Sequence, residues 1–139
     1  MDVKKILLAV DDSVLGMKAA WEGFTLARQL GASVGVIYVL DIANMPVNAD
    51  LGMTPEEHLQ NLMQEVRKTL NIFPEDAVRF TPQGDPAKEI LHTADSWGAD
   101  IIVMGTHGKT ALGQMLTGSV AEHVLRQASV PVLLITEKK

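Results

Sequence analysis

The stretch that most constrains this chain runs from Ile101 to Val120, IIVMGTHGKTALGQMLTGSV. It opens with four apolar residues, Ile101 to Met104, a run too short for a helix and rich in β-branched side chains, which predicts a buried strand. At Gly105 the run stops and a glycine-rich polar loop follows. Gly118 and Ser119 end that loop, and Val120, Ala121, Val124, Leu125 and Ala128 then recur at helical spacing. Strand, glycine loop and helix start, in that order, build an anion site. The first N–H groups of a helix have no intrahelical acceptor, and the helix dipole adds partial positive charge around them. Glycine lets backbone approach a phosphate with no Cβ in the way and accepts a positive φ. The Ser119 hydroxyl can donate to the same oxygens. The stretch reads as a phosphate cradle.

The rest of the chain alternates strand and helix around it. Ile6 to Val10 is a continuous apolar run, the mark of a strand covered on both faces. Asp11, Asp12 and Ser13 close it, with Ser13 a candidate N-cap. Met17, Ala20, Trp21, Phe24, Ala27 and Leu30 follow at helical spacing, and Gly31 stops the helix. Val34 to Leu40 forms a second strand, and a loop of about a dozen residues after Asp41 is long by the usual standard. Thr54-Pro55-Glu56-Glu57 is a helix start with cap, proline at the first position and a glutamate placed for a capping box. Leu59, Leu62, Met63, Val66 and Leu70 form the buried stripe of that helix. Ala77 to Thr81 reads as an edge strand, because Arg79 interrupts its apolar residues. Asp85-Pro86 opens a third helix, with Ala87, Ile90, Leu91, Ala94 and Trp97 inward and Gly98 past its end. Val132 to Ile135 is the last strand, with Pro131 at its start as strand ends tolerate. Five strands alternating with four helices predict an α/β fold, one parallel sheet with right-handed crossovers and helices on both faces.

Composition narrows the function classes. The 139 residues fit one domain, 1–139, with a substantial core. A net charge of −5 argues against a nucleic-acid surface, which needs clustered Lys and Arg. It leaves anion binding by local N–H groups open. There is no cysteine, so disulfides are excluded. The N-terminal apolar run is too short for a signal sequence and ends in two aspartates, and no stretch has transmembrane length. Cytoplasmic residence without membrane insertion is the expectation. His58, His92 and His123 fall on separate helices and form no metal pattern.

Two common nucleotide motifs are excluded at the cradle. Gly108-Lys109-Thr110 resembles the end of a P-loop, and a dinucleotide fingerprint would also use Gly105, but both need a glycine where the chain has Val103. What fits is Gly105, two residues, Gly108, nine residues, Gly118-Ser119. On that pattern the sequence resembles the ATP-binding branch of the universal stress protein family. The resemblance extends from KKILLAVDDS through VIYVLD to VPVLLI.

The resemblance implies a Rossmann-like sheet of order 3-2-1-4-5, close to that of adenine nucleotide alpha hydrolases. The ligand then sits past the carboxyl ends of the strands, where the winding reverses between the first and fourth. By the same resemblance, Val39 offers backbone groups to the adenine edge. Asp11 lies near the ribose or a phosphate-bound magnesium or manganese ion. Gly105, Gly108, Gly118, Ser119 and the Val120 amide hold ribose and phosphates, with His107 close by. Ala9 and Val10, where the family often carries a small residue or a Pro/Thr pair, and Met104 complete the nucleotide-binding set.

Three functions follow for weighing. A nucleotide-dependent regulatory switch in a stress response needs only the cradle, and it is favoured. A slow ATPase or phosphotransferase needs a base, a positioned water and a fixed metal, for which Asp11 and His107 are the candidates. A flavin or dinucleotide carrier wants stacking aromatics or a GxGxxG loop, and both tryptophans fall on helix stripes that read as core. A homodimer through Val132 to Ile135 is also implied, because that edge strand is apolar and needs covering. The protein partner of such a switch is not legible in the sequence.

Overall fold

The computed structural model describes residues 2–11, 14–41, 52, 54–70, 76–106 and 119–136. The element order is β1 (Lys5–Ala9), α1 (Val14–Leu30), β2 (Ser33–Ile37), α2 (Pro55–Leu70), β3 (Val78–Phe80), α3 (Pro86–Trp97), β4 (Ile101–Gly105), α4 (Ser119–Gln127) and β5 (Val132–Ile135). The strands form one parallel sheet of order β3-β2-β1-β4-β5. That is the order implied by the family resemblance, with the continuous apolar strand β1 in the middle.

The period-2 alternation of strand side chains divides the core into two layers. Ile6, Leu8, Val10, Val36, Tyr38 and Val103 pack under α1 and α2 with Ala20, Phe24, Leu59 and Met63. Leu7, Ile37, Ile102 and Met104 pack under α3 and α4 with Ala87, Ile90, Ala94, Ala121 and Val124. Ile6, Leu7, Leu8, Ile102 and Val103 are fully buried, as a strand covered on both faces requires.

Local signals set the helix ends. Thr54 and Glu57 form a reciprocal capping box: the Thr54 N–H donates to Glu57 Oε1 at 3.0 Å and the Glu57 N–H to Thr54 Oγ1 at 3.1 Å. The Asp85 carboxylate accepts from the Lys88 N–H at 3.0 Å, and Pro86 follows it. Gly31 (φ 66°) and Gly98 (φ 81°) close α1 and α3 in the left-handed conformation that favours glycine. The Ser13 cap, the loop after Asp41, and the side chains of Met17, Leu62, Val66 and Leu70 lie outside the described residues.

The structure corrects two details. Trp21 is 40% exposed on the outer side of α1, and Leu30 and Leu125 are also exposed. The buried face of α1 runs through Ala19, Ala20, Gly23, Phe24 and Ala27, and Trp21 lies about 100° around the helix from Ala20, off that face, whereas Leu30 is the last residue of the helix. The second strand is shorter than its apolar run, ending at Ile37. Past that point the chain stays bonded to the β3 side: Tyr38 N–H donates to Phe80 O (2.9 Å) and Leu40 N–H to Pro82 O (3.0 Å). No helix among the described residues is long and apolar enough to cross a membrane.

Candidate functional site

The two central strands separate at the carboxyl edge of the sheet. Pairing between β1 and β4 stops at Leu8 and Val103. β1 nevertheless follows β2 as far as Ala9 and Ile37, and the Val10 N–H donates to Ile37 O at 3.1 Å. β4 follows β5 as far as Gly105 and Ile135, and the Thr106 N–H donates to Ile135 O at 3.0 Å. Each central strand thus ends on its outer neighbour. The opening between them falls at the reversal of strand order, where open α/β sheets hold their ligands.

The residues singled out in the sequence divide around that opening. Ala9, Val39, Met104 and Val120 all pack on the apolar layer beneath α3 and α4. They come from the ends of β1 and β4, the stretch after β2 and the start of α4, and share one apolar layer. Val10 turns to the opposite layer, under α1 and α2, and is buried there. Its side chain is therefore part of the core, and only its backbone is at the edge. Asp11 is exposed just beyond β1, and Gly105 is half-buried at the end of β4. His107, Gly108 and Gly118 lie outside the described residues, as does Lys109.

Val39 is placed by its neighbours. The N–H groups of Tyr38 and Leu40 both donate toward the β3 side, and Leu40 O accepts from the Gly84 N–H at 3.1 Å. Alternate residues of an extended chain face opposite ways, so Val39 turns its N–H and C=O toward the end of β1. Ser119 is the first residue of α4 rather than the residue before it, and it is exposed. Its own N–H and that of Val120 belong to the first turn, where intrahelical acceptors are lacking.

One neighbour of this edge carries no motif and escaped the sequence reading. Gly16 is buried in the first turn of α1 against Asp11. A Cβ on Gly16 would stand 2.4 Å from Asp11 Oδ1, 2.6 Å from Asp11 O and 2.9 Å from Asp11 N. A glycine in the first turn of a helix, five residues after an aspartate that ends a strand, is the only sequence signal for it.

Two carboxyls among the described residues are held below the usual carboxylate range, and neither stands at the opening. The Lys4 and Lys5 backbone N–H groups do this for Asp100, at the opposite edge of the sheet. For Glu56 the first cause is its own backbone N–H, followed by the Thr81 hydroxyl beyond β3. Among the described residues, no group of three His, Cys, Asp or Glu side chains could hold a metal ion.

The family model for the universal stress proteins matches residues 2–136. Universal stress protein MJ0531 of Methanocaldococcus jannaschii is 34% identical over 142 residues, covering 98% of this chain and 84% of that protein. The solved structure of protein MJ0577 superposes with a TM-score of 0.76 at 29% identity, covering 100% of this chain and 99% of that one. A universal stress protein of Archaeoglobus fulgidus, solved in complex with dAMP, gives a TM-score of 0.64 at 25% identity, with 97% and 99% covered. Sequence, strand order and superposition agree, and the chain belongs to the universal stress protein family.

Proposed function

We propose that this protein binds ATP in the opening between β1 and β4 and acts as a nucleotide-dependent regulatory switch. The observation that carries the reading is the parting of the two central strands at the reversal of the sheet. There, Ala9, Val39, Met104 and Val120, which share one apolar layer, would form a floor beside the start of α4. Such a floor suits an adenine ring, and the Val39 backbone N–H and C=O match the donor and acceptor of its edge. The first turn of α4, with Ser119, suits the phosphates. The Archaeoglobus fulgidus relative solved with dAMP holds a nucleotide of the same base. His107, Gly108, Gly118 and Gly105 complete the cradle in this reading. A magnesium or manganese ion would be carried in by the phosphates, with Asp11 the nearby carboxylate.

The same reading treats residues 1–139 as one cytoplasmic domain and pairs two copies through β5. That strand lies at the edge of the sheet, and its Leu133 is 38% exposed. ATP here is a bound signal, with turnover well below the roughly 1 s⁻¹ floor of ordinary enzymes. Backbone N–H groups and one hydroxyl hold ground-state phosphates, whereas fast transfer asks for a positioned water and charge at the leaving oxygen.

The test is mass spectrometry of the ligand that co-purifies with the native protein, followed by titration calorimetry with ATP. Gly118→Val is expected to weaken binding about 5- to 150-fold, the equivalent of roughly 1–3 kcal/mol of backbone strain. Equal affinity in the folded variant sinks the cradle. Rapid phosphate release abolished by Asp11→Ala or His107→Ala would make the protein an enzyme instead.

A further inference from the structure

We infer that Gly16 is a positioning residue for Asp11: the bare Cα in the first turn of α1 leaves the space that the Asp11 carboxylate and its peptide occupy. This rests on the nucleotide reading of the β1–β4 opening and adds to it a residue outside the glycine motif. The observation is steric and local. A Cβ on Gly16 would lie 2.4 Å from Asp11 Oδ1 and 2.6 Å from Asp11 O. The first distance is roughly 1 Å inside the usual van der Waals approach of about 3.5 Å. Rotation of the aspartate side chain relieves that contact but not those to Asp11 O and N, so a side chain at residue 16 displaces the turn itself.

The helix cannot give way either. Ala19, Ala20 and Phe24 of α1 are buried against the sheet, and Gly23 approaches Leu8 so closely that a Cβ there would stand 2.0 Å from Leu8 Cδ2. α1 is seated on β1 by one glycine and clears Asp11 by the other. The element that yields to a Cβ at residue 16 is therefore the segment carrying Asp11, at the rim of the opening where Val10 N–H still bonds Ile37 O. The consequence is specific. The three atoms nearest to such a Cβ all belong to Asp11, so the influence of residue 16 on the ligand passes through Asp11.

A double-mutant cycle tests this, with magnesium-ATP binding followed by calorimetry and folding by thermal unfolding. Wild type, Gly16→Ala, Asp11→Ala and the double variant are compared. Gly16→Ala is expected to weaken ATP binding roughly tenfold, and the double variant to bind no more weakly than Asp11→Ala alone. The unfolding arm needs no nucleotide: alanine at residue 11 keeps the backbone O and N that the Cβ meets, so Gly16→Ala should lower the midpoint to a similar extent in both backgrounds. Should Gly16→Ala fail to fold, combining it with Asp11→Gly, whose backbone can yield, is expected to restore folding. Additive losses of affinity, unchanged binding by Gly16→Ala, or an unchanged midpoint in Gly16→Ala would each overturn the inference. A Gly16→Ala, Asp11→Gly variant that does not fold would overturn it too. A wild type with no affinity for ATP would instead bring down the nucleotide reading on which it rests.

Discussion

The two edges of the sheet each carry an aspartate beside β1, and the two are held in opposite ways. At the amino edge, Asp100 precedes β4, and its Oδ2 accepts from the Lys4 N–H at 2.8 Å and the Lys5 N–H at 2.9 Å. Its own N–H donates to Lys5 O at 2.8 Å, and Lys5 Nζ reaches over the Trp97 ring and donates to Trp97 O at 3.0 Å. At the carboxyl edge, Asp11 stands where β1 has parted from β4, and its place is set by a missing side chain at Gly16. The same residue type is a clasp at one edge, its oxygens turned inward to backbone. At the other it is a fixed rim group. Closed pairing at one edge and parted strands at the other divide the sheet into an end that holds the fold and an end available for a ligand.

Substitutions at each edge sharpen or break that division. The largest effect is expected from Trp97→Ala. Trp97 packs edge-on to Phe80 with ring centroids 5.8 Å apart and supports Lys5. Its loss should cost about 2–3 kcal/mol of stability, less than a fully buried tryptophan because the ring is half-buried. Denaturant unfolding measures this, and ATP affinity of the folded variant should not change. An affinity loss would show that the amino edge is coupled to the site.

Gly35→Ala comes next. A Cβ there would stand 3.0 Å from Phe80 Cε2 and 3.0 Å from Trp97 Cη2. Moving both rings should cost about 1–2 kcal/mol, read in the same unfolding experiment. Full stability would show that the aromatic pair is looser than its geometry implies.

At the carboxyl edge the expectation reverses. Ser119→Ala removes a hydroxyl from the first residue of α4 and should weaken ATP binding by about 1 kcal/mol, roughly fivefold, with the unfolding midpoint intact. A lowered midpoint with unchanged affinity would assign Ser119 to the fold.

The smallest effect is one of pH. The folded protein holds the Asp100 carboxyl below its ordinary value, chiefly through the Lys4 and then the Lys5 N–H. Its contribution to stability is therefore present above the unfolded value of about 4 and is lost as pH falls through the lower folded value. Asp100→Asn should unfold at a lower temperature than wild type at pH 7, and the gap should close in acid. A gap independent of pH would mean that hydrogen-bond geometry, not charge, makes the clasp.

The parts of this division legible in the sequence are those written in short-range patterns. The capping box at Thr54 and Glu57, the Asp85 cap and the Gly31 and Gly98 stops each sit within four residues of what they bond, and each formed as read. Sheet order did not follow from the apolar runs, which mark β1 as covered and β3 as an edge but not which strands pair; it came from the family pattern. Trp21 shows the limit of periodicity: it stands four residues after Met17 and three before Phe24, yet the face that is buried is centred on Ala20, Gly23 and Phe24. Asp100 and Gly16 were invisible for a related reason. One acts across 95 positions on Lys5, and the other acts by having nothing to contribute. For the candidate site, the motif supplied the residues that the proposed function uses, but the parting of β1 from β4 is a property of the assembled register.

The Asp100 clasp also fixes a chronology. β1 is the middle strand, yet the neighbour that completes it begins almost a hundred residues later in the chain. At ordinary rates of protein synthesis, that stretch takes roughly 5–20 s to emerge. Throughout this interval β1 can pair with β2 on one flank while its other flank stays open. The loop-closure cost of so distant a partner grows only with the logarithm of length, so the final stability hardly registers it. The delay falls on the newborn chain. Its central strand is among the first made and stays open on one flank until β4 emerges.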